Sequence, residues 1–236
     1  MTMQQGVKAR ALRAAFPHTL PVMAGYVFLG MTYGVFMDAL GYAPWHGLLM
    51  SLTVFAGSMQ FVAANLFLGA FNPLQALAVT LMVNARHLFY GLAMLDKYRG
   101  LGKRQWYMIA ALTDETFSVN CAARIPKGID GGWFMFFVTL LNQSYWVLGT
   151  LLGSLVGLAI HFNTEGLDFV MTAMFVVIFM EQWQKDSTHL PAWAGLGLTA
   201  LCLAAFGPDN FLIPAMIAIW AALTLCRPWV ERGRKA

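Results

Sequence analysis

The sequence predicts an all-α fold: a polytopic helical membrane protein of about six to eight membrane segments. Three observations carry this. First, 59% of the 236 residues are hydrophobic and 11% are charged, whereas a soluble domain carries about 25% charged residues. A soluble protein of this length could not cover its exterior with so few charges, so the exterior faces lipid. Second, no Asp, Glu, Lys or Arg occurs from Ala14 to Met37, from Ala39 to Ala85 or from Gly131 to Thr164, and one helical span needs only about 20 apolar residues. Third, these runs are continuously apolar, whereas barrel strands alternate over about 10 residues. Helices are the remaining way to satisfy every backbone polar group inside a bilayer.

In chain order the apolar segments are Phe16–Met37, Trp45–Gly69, Pro73–Leu95, Gln105–Ala123, Trp133–Ile160, Phe169–Gln182, Pro191–Gly207 and Phe211–Cys226. The first follows Lys8, Arg10 and Arg13, as a signal peptide would, but its run is too long and no small-residue cleavage site follows. It is expected as a retained helix. Turn chemistry at Asn72-Pro73 and at Gly207-Pro208-Asp209-Asn210 separates later segments. No long polar linker interrupts the chain, so one transport domain is expected over residues 1–236.

The second segment conflicts with the charge pattern. If all eight segments cross, the basic loop Asp96–Arg104, with Lys97, Arg99, Lys103 and Arg104, falls outside, against the cytoplasmic bias of Lys and Arg. The conflict vanishes if the second segment enters and leaves on one side. Segment six offers a parallel, since its charge-free stretch Phe169–Met180 has a re-entrant length. Gly30 and Gly34 precede Gly57 much as Gly149, Gly153 and Gly157 precede Phe179–Trp183. This suggests two inverted repeats, 14–125 and 131–228, each with a broken or re-entrant segment. The alternative is chance similarity among Gly-rich helices, and the Gly149, Gly153, Gly157 ladder reads first as close helix packing.

The net charge of +4 does not point to nucleic acid. The basic residues form three short clusters flanking apolar segments, the last being Arg227, Arg232, Arg234 and Lys235, which is the pattern of membrane loops. Cys121, Cys202 and Cys226 have no metal-ligand spacing. No metal site, cofactor or phosphate-binding glycine loop is expected.

Three constellations stand out. Asn84, Arg86, His87 and Tyr90 lie late in the third segment. Thr113, Asp114 and Glu115 lie within the fourth. Gly57, Ser58 and Gln60 interrupt the second. Charged residues inside a membrane face a cavity or a partner. Arg86 is therefore expected to pair with Asp114 or Glu115, either as a structural clamp or as part of a pathway. The adjacent carboxylates point about 100° apart on a helix. His87 reads as a structural histidine or as a proton relay. Gly57 permits a helix break whose free backbone groups can bind a zwitterion; the alternative is simple helix packing.

At these residues the chain resembles the AzlC family of branched-chain amino acid permeases. The resemblance is carried, in order, by Phe55-Ala56-Gly57-Ser58-Met59-Gln60-Phe61, Asn84-Ala85-Arg86-His87 with Tyr90-Gly91, Thr113-Asp114-Glu115-Thr116-Phe117 and Trp146-Val147-Leu148-Gly149. It implies a multi-pass exporter of leucine, isoleucine, valine and similar apolar amino acids in the bacterial inner membrane; a wall of Phe, Met and Leu side chains, which ranks apolar cargo weakly, extends the expected cargo to methionine. It also implies a small AzlD-type membrane subunit as partner. Drive from the proton gradient, as in an antiporter, and cytoplasmic termini are expected. The competing classes are an intramembrane enzyme, which lacks a Gly-x-Ser-x-Gly or His-Glu-x-x-His motif here, and a channel, which calls for rings of like charge or carbonyls.

Overall fold

A computed structural model describes residues 3–69, 72–159, 176, 179–180, 183–184, 189–207 and 211–225. The chain divides into two compact units, Met1–Asp168 and Phe169–Ala236, and each is taken by itself. The first holds α1 (Met3–Ala39), α2 (Pro44–Thr53), α3 (Gly57–Leu66), α4 (Pro73–Tyr98), α5 (Arg104–Ala110), α6 (Asp114–Ala122) and α7 (Gly131–Ala159). The second holds α8 (Leu190–Phe206) and α9 (Leu212–Leu225), which pack on each other. Among the described residues there is no strand, as the composition predicts.

Two helices, Gly6–Ala39 and Gly131–Ala159, are long and apolar enough to cross a membrane. They form the spine of the first unit through their glycines. A Cβ at Gly149 would lie 2.5 Å from the Val27 carbonyl oxygen, one at Gly153 would collide with the Met31 carbonyl, and one at Gly157 would lie 2.8 Å from Asp38 Cβ. From α1 the reciprocal contacts come from Gly30, 2.7 Å from the Trp146 oxygen, and from Gly34 against Thr150. Missing side chains let the two backbones approach, which is how helices associate without a hydrophobic drive between them. The expected packing role of the 149–153–157 ladder holds. Partner numbers rise together along both helices, so α1 and α7 run parallel.

Large apolar side chains face outward, and polar ones are buried beside an apolar core that includes Phe61 and Phe134. Phe28, Phe89, Trp106 and Leu148 are exposed, while Thr19, Ser51, Gln60, Thr116, Thr139, Asn142 and Thr150 are buried. At the end of α1 and α7 where the chain begins, Lys8 Nζ lies 4.5 Å and the Arg104 guanidinium 4.1 Å from the centre of the Trp133 ring. The first basic cluster and the basic loop 97–104 therefore share one end of this unit. The opposite end carries Asp38 and Gly157.

With α1 and α7 as a ruler, the second segment is a hairpin of two half-length helices. Gly47 of α2 sits beside Met37 and Thr150, and Ser51 Oγ lies 2.9 Å from Thr150 Oγ1. The chain breaks at Val54–Ala56, where Phe55 has φ 36°. It then turns back with Gly57 against the Trp146 ring. Near the end of α3, Ala64 O accepts from the Tyr42 hydroxyl at 3.1 Å, close to where α1 ended. The segment thus begins and ends at the Asp38 end, as expected.

The fourth segment differs from the sequence expectation. Thr113-Asp114-Glu115 does not lie within a continuous helix; a break at Ala111–Thr113 separates α5 from α6. Thr113 caps α6, its Oγ1 accepting from Thr116 N at 3.3 Å, and Asp114 and Glu115 occupy the first turn. The reason is helix-start chemistry: a hydroxyl cap followed by acidic residues satisfies the free amides and the positive helix end. The run of apolar residues around it concealed this start. The α5–α6 hairpin begins with Arg104 at Trp133 and returns to the same end, where Asn120 Nδ2 donates to the Tyr98 hydroxyl at 3.0 Å. Within the first unit, the fourth segment is thus a second hairpin of half-helices. The sixth, to which the sequence assigned that part, lies mostly outside the described residues, as does the C-terminal basic cluster.

Candidate functional site

The two hairpins enter from opposite ends, and both tips contact Tyr26 of α1, the α2–α3 tip resting also on Trp146 of α7. Each tip opens a half-helix by its N-terminus, α3 at Gly57 and α6 at Asp114. Glycine at 57 is required by proximity, since a Cβ there would lie 2.9 Å from Trp146 Cη2. The ring is held in that place because Trp146 Nε1 donates to Gln60 Oε1 at 2.7 Å, and Gln60 Nε2 donates to Ser51 Oγ at 3.4 Å.

Tyr26 touches both tips. Its hydroxyl lies 2.6 Å from Glu115 Oε2 and 2.7 Å from Thr113 Oγ1. Its ring stands edge-on to Phe55, with centroids 6.1 Å apart, and to Trp146 at 5.6 Å. The network continues inward, with Thr113 Oγ1 2.9 Å from Thr116 Oγ1 and Asn142 Nδ2 donating to Thr116 Oγ1 at 3.0 Å. Thr116 and Asn142 are fully buried.

Gln143 makes a second bridge. Its Nε2 donates to Leu52 O at 3.0 Å, satisfying a carbonyl that the end of α2 leaves open, and its Oε1 accepts from the Tyr107 hydroxyl of α5 at 2.6 Å. A single side chain on α7 thereby ties the last turn of one hairpin to the first helix of the other. Broken helices leave orphan carbonyls and amides, and in a dry interior these need partners of this kind.

The sequence-expected residues fall into distinct places. Gly57 and Gln60 meet Trp146; Thr113 and Glu115 meet Tyr26. Ser58 is half-buried in the first turn of α3. His87 Nε2 lies 3.9 Å from Asp114 Oδ1, and these side chains are 25% and 34% exposed. His87 Nδ1 also lies 3.3 Å from Asn84 O. Tyr90 stacks on Phe117 at 4.5 Å, joining α4 to α6. The Arg86 side chain lies outside the described residues, and with it the expected ion pair. Tyr26, Asn142 and Gln143 escaped the sequence reading. They are isolated polar groups in charge-free helices, and their importance comes from the breaks they face.

These features define a helical membrane protein with a polar centre between two interrupted helices. A family model described as AzlC protein matches residues 21–160, which contain both hairpins and both spine helices' contact glycines. The chain is 57% identical over 223 residues to the branched-chain amino acid transport protein AzlC of Bacillus subtilis (strain 168), spanning 94% of this chain and 88% of that one. It is 46% identical over 216 residues to an uncharacterized membrane protein of Haemophilus influenzae, spanning 91% and 88%. It is 27% identical over 208 residues to the inner membrane protein YgaZ of Escherichia coli (strain K12), spanning 84% and 82%. No solved structure matches. This chain belongs to the AzlC family.

Proposed function

We propose that this protein is a secondary transporter that exports leucine, isoleucine, valine and related apolar amino acids, methionine included, from the bacterial cytoplasm. One observation carries the reading: two hairpins of half-helices reach from opposite ends to one polar centre. Carriers with interrupted helices bind substrate where the breaks meet, using the positive N-termini of half-helices for anionic groups. The name of the Bacillus subtilis relative supplies the cargo class.

In this reading the Lys8 end, which gathers two basic clusters, faces the cytoplasm. The α2–α3 hairpin then enters from outside and the α5–α6 hairpin from inside, so only α1, α4 and α7 of the first unit cross. Both termini are assigned to the cytoplasm of an inner-membrane protein. The amides of Gly57 and Ser58 at the start of α3 receive the substrate carboxylate, and Asp114 its ammonium. Phe55 and neighbouring apolar groups form the wall. The proton gradient supplies the drive, and the small AzlD-type subunit implied by the family is the partner.

An apolar wall separates leucine from valine weakly, since one methylene is worth about 1–3 kcal/mol, but it rejects a second charge that would be buried alone. Efflux from cells loaded with dipeptides, with and without the partner subunit, tests this. Leucine, valine and methionine should leave faster than lysine and aspartate, and equal efflux of lysine and leucine would refute the cargo. Counterflow in vesicles separates a carrier from a channel, because only a carrier accelerates uptake of labelled leucine when preloaded.

A further inference from the structure

We propose that Glu115 is the site at which this transporter binds its coupled proton, and that Tyr26 is the positioning residue that passes the protonation state between the two hairpins. The inference rests on the transporter reading above and deepens it by giving the two adjacent carboxylates different tasks.

Asp114 and Glu115 are neighbours in sequence but not in surroundings. Both are half-buried, but Asp114 lies near His87 of α4, whereas Glu115 faces α1. Glu115 is held at 2.6 Å by the hydroxyl of Tyr26, a residue only 5% exposed. Among the described residues, the titratable groups around Glu115 are Tyr26 on α1, Asp114 on its own helix and, beyond Asp114, His87 on α4.

Proton counting shows what this geometry does. The Tyr26 hydroxyl lies within hydrogen-bond distance of two oxygens, Glu115 Oε2 and Thr113 Oγ1, but it has one proton to give. When Glu115 is ionised it is acceptor-only, so it takes the phenol proton. Thr113 must then donate to the phenol oxygen and in turn accept from Thr116, while Asn142 Nδ2 donates to Thr116. When Glu115 takes up a proton, its own O–H donates to the phenol oxygen and the phenol proton turns to Thr113. The Thr113 proton then turns to Thr116, in the direction of the 2.9 Å contact between them. One proton taken from the aqueous phase neutralises one carboxylate and reverses this chain of hydroxyl bonds without stranding a charge. Its release on the other side restores the chain.

The same phenol ring also contacts the other hairpin, so a change in its hydrogen bonds that shifts the ring acts on both tips. That ring stands edge-on to Phe55, whose φ of 36° marks the α2–α3 break. It also stands edge-on to Trp146, which seats Gly57 and holds Gln60. Both tips therefore rest on Tyr26, the residue that bonds directly to Glu115.

Infrared difference spectra of the purified full-length protein in lipid, between acidic and alkaline buffer, test the site without reference to cargo. The protonated-carboxyl region of the wild-type spectrum should contain a component that is retained in Asp114→Asn, lost in Glu115→Gln against the background of the other carboxyls, and displaced in Tyr26→Phe. An unchanged band in Glu115→Gln overturns the assignment. In vesicles, Glu115→Gln should keep leucine counterflow, which also reports folding, and lose accumulation driven by a pH gradient. Tyr26→Phe should keep counterflow and change the pH profile of driven transport, because the hydroxyl that contacts the carboxylate has been removed. Gradient-driven accumulation by Glu115→Gln, or an unmoved profile in Tyr26→Phe, overturns the proposal. A wild-type protein that shows no leucine counterflow refutes the cargo assignment instead, and the infrared band still decides the proton site.

Discussion

Replacing Gly153 by alanine tests the spine on which the hairpins hang. The added Cβ would collide with the Met31 carbonyl oxygen and lie 2.7 Å from both Met31 C and Met31 Cα. Carbon atoms rest at about 3.5 Å or more, so α1 must retreat by about 0.8 Å. The neighbour is helix backbone, which has no rotamer to change. Overpacking of this sort costs about 1–3 kcal/mol, against which alanine returns up to about 1 kcal/mol of helix propensity. The expected net loss is up to about 2 kcal/mol, or a fall in Tm of up to roughly 8 °C for a chain of this size. Gly25 of α1 is the internal control, because a Cβ there meets nothing within 4 Å; Gly25→Ala keeps only the propensity gain of up to about 1 kcal/mol. The assay is thermal unfolding of the purified protein in detergent, followed by size-exclusion fluorescence. If Gly153→Ala melts at or above wild type, or if Gly25→Ala falls as far, the parallel α1–α7 contact is wrong.

Gly57→Ala should act on transport more than on stability. Its Cβ, 2.9 Å from Trp146 Cη2, pushes the ring by about 0.6 Å to reach ordinary contact and strains the bond to Gln60, so initial rates of leucine counterflow should fall while the Tm drops less than in Gly153→Ala. Gln143→Leu removes the bonds to the Leu52 carbonyl and the Tyr107 hydroxyl, at about 0.5–1.5 kcal/mol for each hydrogen bond lost; the melting assay should show a Tm below wild type. Topology is tested with single cysteines in a background lacking Cys121, Cys202 and Cys226. An impermeant thiol reagent added outside intact cells should label Ala43→Cys and spare Arg99→Cys, both exposed positions, and the reverse pattern would invert the orientation proposed for the first unit.

The sequence alone determined that this is a helical membrane protein, because charge-free runs of such length leave no other way to hide the backbone. It also located the break in the second segment, since Gly57 beside Ser58 and Gln60 is a local signal of backbone freedom among apolar residues. The break in the fourth segment was equally local in chemistry, with Thr113 as cap and two acids behind it. It was obscured because hydropathy averages over a window and a three-residue interruption barely changes the mean. Only the tertiary structure decided that the 30–34 and 149–153 glycines face each other in parallel helices, because a glycine pattern carries no record of which helix it faces. The same holds for Tyr26, one aromatic residue in a charge-free helix, whose role depends on Phe55, Glu115 and Trp146 arriving beside it from distant parts of the chain. Periodicity and composition report what each residue prefers to face; the partner itself is chosen by packing.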